Sequence, residues 1–395
     1  MLLYGFLLVA AALGHAGLWI WMMNVPHGFG SSERTMDRLM AAMVLCGGAL
    51  PLIVLWMTWG RPWTEWPLLI QFYVGLCLVM GLVVVPAATL ALRLRRPPRG
   101  VSSTASEVPL TAPDQASALI GPGRYNWMLR LPGSASMRLR RVEWNVAMRG
   151  LPVACEGLSL LHITDLHFAP CFDRRYFDRI ADEAEAMEAD LVVFTGDLID
   201  HESGIDWIAP VLSRLRGRLG TYAILGNHDY NFDLTRIRQE LEAAGFNDID
   251  GRWTSLEVGG ATIALGGTSA PWGPGLDLDG EPGADLRILL SHTPDQFYRA
   301  SAAGIDLMLA GHNHGGQVRL PLLGPILMPS RYSRRFDRGF FREGRTLMSV
   351  CQGIAGKHPL RYGCPPELSR IVLHAVEGSI DDSSAFALPS ARAAD

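Results

Sequence analysis

Three uncharged, apolar stretches open the chain, at residues 2–23, 39–59 and 67–92. A helix needs about 20 apolar residues to cross a bilayer, so each stretch is predicted to be a transmembrane helix. Pro51 and Pro86 are tolerable kinks in such helices. Trp19, Trp21, Trp56, Trp59, Trp63 and Trp66 near the ends fit interfacial anchors. The first stretch has no basic n-region and is longer than a signal-peptide h-region, so it reads as an uncleaved span. Beyond residue 92 the pattern changes. Residues 93–124, rich in Pro, Ser, Thr and Ala, are expected to form a flexible linker. Val142, Trp144, Val146 and Met148 then alternate with Arg141, Glu143, Asn145 and Ala147, the period of a strand. Short apolar runs at 158–164, 191–195, 222–225, 286–291 and 307–310 read as buried strands. Helical patterns lie between them at 174–188, 234–244 and 294–303. Residues 253–265 read as a hairpin around Gly259-Gly260. Strands alternating with helices, then hairpins, predict an α/β layered domain over residues 125–395, with sheets in the middle.

The five apolar runs share one feature: each ends in polar, metal-binding residue types. They deliver Asp165 and His167, then Asp197, then Asn227 in a Gly-Asn-His-Asp turn, then His292, then His312 and His314. In α/β sheets the carboxyl ends of strands are where chemistry is presented. Asp165-x-His167 and His312-x-His314 can each point two side chains to one side of a strand end, because the side-chain period is 2. Carboxylate, imidazole and carbonyl donors hold divalent metals that activate water, and two such ions can share one carboxylate. Seven donors on five strand ends are enough for two sites. Any one of these residues taken alone would be ordinary strand-end polarity. Of the other histidines, His15 within the first span reads as a helix-packing contact rather than a functional group. His162 reads as core, His201 as a residue that could line an entrance, and His358 and His374 as structural.

Charge refines the picture. It is nearly absent before residue 93 and dense afterwards, and the whole chain carries a net −4, which argues against a nucleic-acid partner. Arg93, Arg95, Arg96 and Arg99 follow the third span, and Arg34 and Arg38 occupy the first loop. The positive-inside rule then puts the catalytic domain of a multi-pass integral membrane protein on the cytoplasmic face. The six cysteines show no C-x-x-C spacing and read as free thiols. After His314 comes an apolar loop, residues 318–328, and then Arg331, Arg334, Arg335, Arg338, Arg342 and Arg345. An apolar loop beside an arginine cluster suits a membrane surface or a lipid phosphate, with Arg331, Arg334 and Arg335 as substrate-binding candidates. A buried hairpin followed by a solvated charged face fits the same residues.

The series Asp-x-His, Gly-Asp, Gly-Asn-His-Asp, His, Gly-His-x-His resembles the calcineurin-like metallophosphoesterases from about residue 151 onward. The run Gly311-His312-Asn313-His314-Gly315-Gly316-Gln317, with Met328-Pro329-Ser330-Arg331-Tyr332 and Cys364-Pro365-Pro366-Glu367-Leu368, is similar to the YkuE/YaeI-like branch. That branch includes an enzyme cleaving UDP-2,3-diacylglucosamine. The resemblance implies a four-layer α/β/β/α sandwich and two divalent ions, Mn²⁺ first, with Fe, Zn or Mg compatible. One ion would be held by Asp165, His167, Asp197 and His314, the other by Asp197, Asn227, His292 and His312, with Asp197 bridging. It further implies a bridging hydroxide as nucleophile, His228 as the acid on the leaving oxygen, and Asp200 orienting that histidine. The expected function is hydrolysis of a phosphodiester or pyrophosphate bond, on a lipid-linked or nucleotide-linked phosphate substrate at the bilayer. Rival readings are a protein or small-molecule phosphatase, a non-enzymatic membrane receptor with a structural metal site, and a transporter. The residues do not speak to oligomeric state.

Overall fold

The structure, a computed structural model, describes residues 2–280 and 283–376. The end of the domain expected to reach residue 395 therefore lies outside the described residues. The chain divides into two compact units, Met1–Arg96 with Arg319–Arg335, and Pro97–Val318 with the residues from Phe336 on.

The first unit contains three helices long and apolar enough to cross a membrane, Leu2–Phe29, Arg34–Thr58 and Leu68–Leu94. The helix that contains the second span runs Glu33–Thr58 and starts before the apolar stretch, because Ser32 caps it by accepting from the Thr35 N–H. In the third, Pro86 has no N–H to offer the helix ladder. A π-helical turn at Met80–Val84 precedes it, with the Val85 N–H bonded to the Met80 carbonyl. His15 joins all three helices. Its Nε2 bonds the Gly47 carbonyl at 3.0 Å and its Nδ1 bonds the Tyr73 hydroxyl, which also accepts from Trp19 Nε1 at 3.2 Å. A carbonyl only accepts, so Nε2 carries the proton and Nδ1 takes one from Tyr73. His15 thus serves packing.

In the second unit, seven strands form one sheet, in the order Val101–Pro109, Arg138–Arg149, Glu367–Val376, Ser159–Ile163, Leu191–Thr195, Thr221–Ile224, Asn247–Asp248. Six form another, in the order Gly339–Glu343, Thr346–Val350, Leu307–Ala310, Leu286–Ser291, Ala261–Thr268, Trp253–Val258. Alternation decides what each face meets. Leu160, Leu191, Val193 and Ile224 face a core shared with Ile263, Leu265, Ile288 and Leu309 of the other sheet. Leu161, Ile163, Val192 and Phe194 point the opposite way, against Tyr176, Phe177 and Ile180 of helix Arg174–Glu185 and Ile237 and Leu241 of helix Leu234–Ala243. Strands buried on both faces lose the polar alternation of half-exposed ones, hence the unbroken apolar runs. Helix Phe297–Ala302 lies against Gly339–Glu343 and Thr346–Val350. The result is the α/β/β/α layering.

Asp173 and Asp233 cap their helices by accepting from backbone N–H groups. Gly259 and Gly260, both at positive φ (56° and 88°), turn the hairpin. One expectation is corrected. The stretch 93–124 is not wholly a flexible linker, because Val101–Pro109 pairs antiparallel along Arg138–Arg149 as the edge of the first sheet. Its Ser and Thr side chains face solvent on an edge strand, so composition resembled a linker.

Candidate dinuclear metal centre

Strands Ser159–Ile163, Leu191–Thr195 and Thr221–Ile224 run parallel in one sheet, and Leu286–Ser291 and Leu307–Ala310 run parallel in the other. The turns after their carboxyl ends carry all seven candidate donors. Five of these donors have left-handed backbones: Asp165 (φ 55°), His167 (45°), Asp197 (59°), His312 (67°) and His314 (47°). Such conformations cost energy in non-glycine residues and persist where the surroundings enforce them. The packing leaves no slack either. A Cβ at Gly226 would run into Asp197 and His292, and one at Gly353 (φ 65°) would sit 2.7 Å from the Asp165 carboxylate.

The donors converge in two groups. Candidate atoms of Asp165, His167, Asp197 and His314 lie within 4.8 Å of one another, as do those of Asp197, His292 and His312. Asn227 joins the second group, its Oδ1 2.9 Å from His292 Nε2. Asp197 belongs to both. Its Oδ1 accepts from the His228 N–H at 2.9 Å. Its buried Oδ2 has no hydrogen-bond partner and stands 3.5 Å from His167 Nε2 and 3.4 Å from His292 Nε2.

The imidazole tautomers test whether the site fits a cation. His314 Nδ1 donates to the Ala355 carbonyl at 2.9 Å and His292 Nδ1 to the Thr195 carbonyl at 2.8 Å. His167 Nδ1 faces Asp200 Oδ2 at 2.8 Å. With Nδ1 the donor in each neutral ring, His167 Nε2 and His314 Nε2 present lone pairs to one another, His292 Nε2 presents one to Asn227 Oδ1, and His167 and His292 both face Asp197 Oδ2. His167 Nε2 and His314 Nε2 are only 3.2 Å apart. Lone pairs aimed at one another and at a bare carboxylate oxygen require positive charge between them. The His292 pKa points the same way: burial pulls it down, but the Asp197 and Asp165 carboxylates outweigh burial and raise it to about 9. The donor set therefore fits divalent metal ions.

Beside this cluster, Asp200 holds two imidazoles at once, His167 through Oδ2 and His228 through a short bond from Oδ1. Burial pushes the Asp200 carboxyl up, yet His167 and His228 outweigh it and hold the group well below the usual carboxylate range. The His228 ring stands edge-on to His167 at 4.7 Å and is the more accessible of the two, its side chain 16% exposed against 0%.

Several supporting residues escaped the sequence reading. Asp229 accepts from four backbone N–H groups, those of Asp197, Leu198, Ile199 and Gly226, at 2.8–3.1 Å. Its place in the Gly-Asn-His-Asp turn was a visible signal. Arg361, wholly buried, donates to the Gln352 and Ala355 carbonyls at 2.8 and 2.7 Å, steadying the acceptor that orients His314. The Trp272 ring lies 4.8 Å from His312 and 5.8 Å from His292. Nothing in the local sequence marked these two. His162 is buried against Thr195 Oγ1, and His201 caps the turn Glu202–Trp207, accepting from Ser203. Arg331, Arg334 and Arg335 fall in Arg319–Arg335 and so in the first unit, where Arg331 donates to the Gly28 carbonyl and Arg334 to the Leu323 carbonyl.

Residues 158–316, the stretch that carries the donors, match the calcineurin-like phosphoesterase family. The chain therefore carries a calcineurin-like metallophosphoesterase domain and falls in the class of hydrolases acting on phosphate esters. Among its relatives is the metallophosphoesterase YkuE of Bacillus subtilis, 27% identical over 274 residues, which are 65% of this chain and 92% of YkuE. Phosphodiesterase YaeI of Escherichia coli is 29% identical over 222 residues, 54% of this chain and 82% of YaeI. A transmembrane protein with a metallophosphoesterase domain from Bos taurus is 28% identical over 256 residues, 58% of this chain and 56% of the bovine protein.

Proposed function

We propose that the chain is a membrane-anchored, dinuclear metal-dependent phosphoesterase that hydrolyses a phosphodiester or pyrophosphate bond of a lipid-linked substrate such as UDP-2,3-diacylglucosamine. The observation that carries the reading is Asp197 Oδ2, buried, without a hydrogen-bond partner, and set between two groups of lone-pair donors. Asp165, His167, Asp197 and His314 would hold one ion and Asp197, Asn227, His292 and His312 the other, with Mn²⁺ the first candidate. Such ions, when bound, lower the pKa of water and neutralise charge on phosphoryl oxygens.

The chain's own groups do the rest. His228, a non-ligand imidazole at the edge of the cluster, donates the proton that the leaving oxygen needs. Asp200 fixes the His228 ring through Nδ1 and so aims Nε2 at that oxygen. A metal site with only a structural role has no use for His228, which is why an enzyme is favoured over a receptor. The phosphodiesterase relative supports the diester bond, and the bovine transmembrane relative and three apolar helices support the anchor. The arginines flanking the third helix and in the first loop support a cytoplasmic catalytic domain.

The test is hydrolysis of UDP-2,3-diacylglucosamine by purified full-length protein with Mn²⁺, beside bis-p-nitrophenyl phosphate. Cleavage of both, lost with EDTA, is expected. Cleavage of the generic ester alone would overturn the nucleotide-lipid substrate while keeping the phosphoesterase, and cleavage of neither would overturn both.

A further inference from the structure

The first unit contains a cavity lined by none of the seven candidate donors. The first and third helices touch backbone to backbone where Gly14 meets the Cys77 carbonyl and Gly81 meets the Ala10 carbonyl, since a Cβ at either glycine would overlap those atoms. Toward their C-terminal ends the same helices line a cavity of about 630 Å³. Its helical wall includes Leu13, Ile20, Val84, Val85, Ala88 and Leu92. The hairpin Arg319–Leu320/Gly324–Pro325 and the residues after it complete the lining.

A buried amide helps to fasten that segment to the helices. Asn24, at the end of the first helix, donates to Ser333 Oγ and accepts from the Met328 N–H, both at 3.0 Å. The fastening brings Arg331, Arg334 and Arg335 to the cavity, where Arg95 from the end of the third helix joins them. Arg95 donates to the Arg335 carbonyl and Arg334 to the Leu323 carbonyl, so the guanidinium stems are set by local bonds.

We propose that this cavity holds one anionic glycerophospholipid, with an acyl chain along the helical wall and its phosphate on the four arginines. The volume lies within the roughly 300–1,000 Å³ of specific small-molecule sites. An apolar cavity of this size gains nothing from water, whereas an acyl chain buries its wall. Clustered guanidinium groups match phosphate oxygens in geometry and charge, and basic pockets between membrane helices suit anionic headgroups. A free phosphate would satisfy the arginines and leave the apolar wall bare, so the lipid is the occupant that fits both halves. The proposal concerns binding in the helical unit and does not depend on what the metal centre hydrolyses.

The test uses delipidated full-length protein in mild detergent, titrated with phosphatidylglycerol or phosphatidylcholine of identical chains and followed by native mass spectrometry. One phosphatidylglycerol per chain is expected, bound at least about tenfold more tightly than phosphatidylcholine. Arg334→Gln and Arg335→Gln should each weaken the anionic lipid roughly fivefold and leave the zwitterionic one unchanged. Ala88→Trp, which fills the cavity, should remove the bound lipid, and Val84→Phe serves the same purpose should Ala88→Trp lose helix content by circular dichroism. Equal affinity for the two lipids, displacement of the lipid by inorganic phosphate, or undiminished binding in a folded cavity-filled variant would overturn the proposal.

Discussion

Asp200 lies outside the seven donors assigned to the two ions yet touches both functions of the site, holding His167 with one oxygen and His228 with the other. It is a positioning residue, and the two histidines it serves have separable readouts. His228→Ala should leave metal content unchanged and lower kcat by about 10²–10⁴-fold, the usual weight of a general acid. Asp200→Asn should do both kinds of damage. Metal affinity should fall by about 10–100-fold, as when an outer hydrogen-bond partner of a ligand is lost, and kcat should fall beside it. Metal analysis after dialysis, set against turnover of bis-p-nitrophenyl phosphate, separates the two outcomes. Asp229 makes a different prediction, about stability. Asp229→Ala leaves four buried N–H groups without their acceptor. A loss of roughly 3 kcal/mol is expected. In a differential scanning measurement that is a fall in Tm of about 6–12 °C.

At the scale of elements, the apolar runs were legible because buried parallel strands need uninterrupted apolar residues. The observed strands Leu191–Thr195, Leu286–Ser291 and Leu307–Ala310 have the same bounds as the runs. The turns at the strand ends were legible as residue types but not as conformations. Left-handed backbones at Asp165, Asp197 and His314 depend on tertiary packing, which no local pattern records. Arg361 and Trp272 lie far along the chain from the donors they support, so spacing could not find them. The strand Val101–Pro109 was hidden for a similar reason, since an exposed edge strand needs few apolar residues. Gly353 carries the element-scale prediction. Gly353→Ala forces a side chain into a left-handed backbone, 2.7 Å from the Asp165 carboxylate. It should lower the occupancy of the metal pair that includes Asp165, read by metal stoichiometry, while the far-UV circular dichroism spectrum stays that of the wild type.

For the molecule as a whole, the break in charge after residue 92 marked the change from apolar helices to an α/β domain, and the structure divides at Arg96/Pro97. The one return across that division was invisible in sequence order. Arg319–Arg335 begins a few residues after the last candidate donor, yet it groups with the helices. One tie is the amide of Asn24, more than three hundred residues from Ser333 in the chain. Hydrophobicity alone left two readings of that segment open, because an apolar hairpin serves a core or a membrane equally well.

The central claim is that two divalent ions share Asp197. It is tested most directly by counting metal ions per chain in wild type and Asp197→Asn, alongside hydrolysis of bis-p-nitrophenyl phosphate. Two ions per wild-type chain are predicted, with activity lost in EDTA and restored by Mn²⁺, and with metal and turnover both lost in Asp197→Asn. Full turnover by the metal-stripped protein, or by Asp197→Asn, would contradict the account.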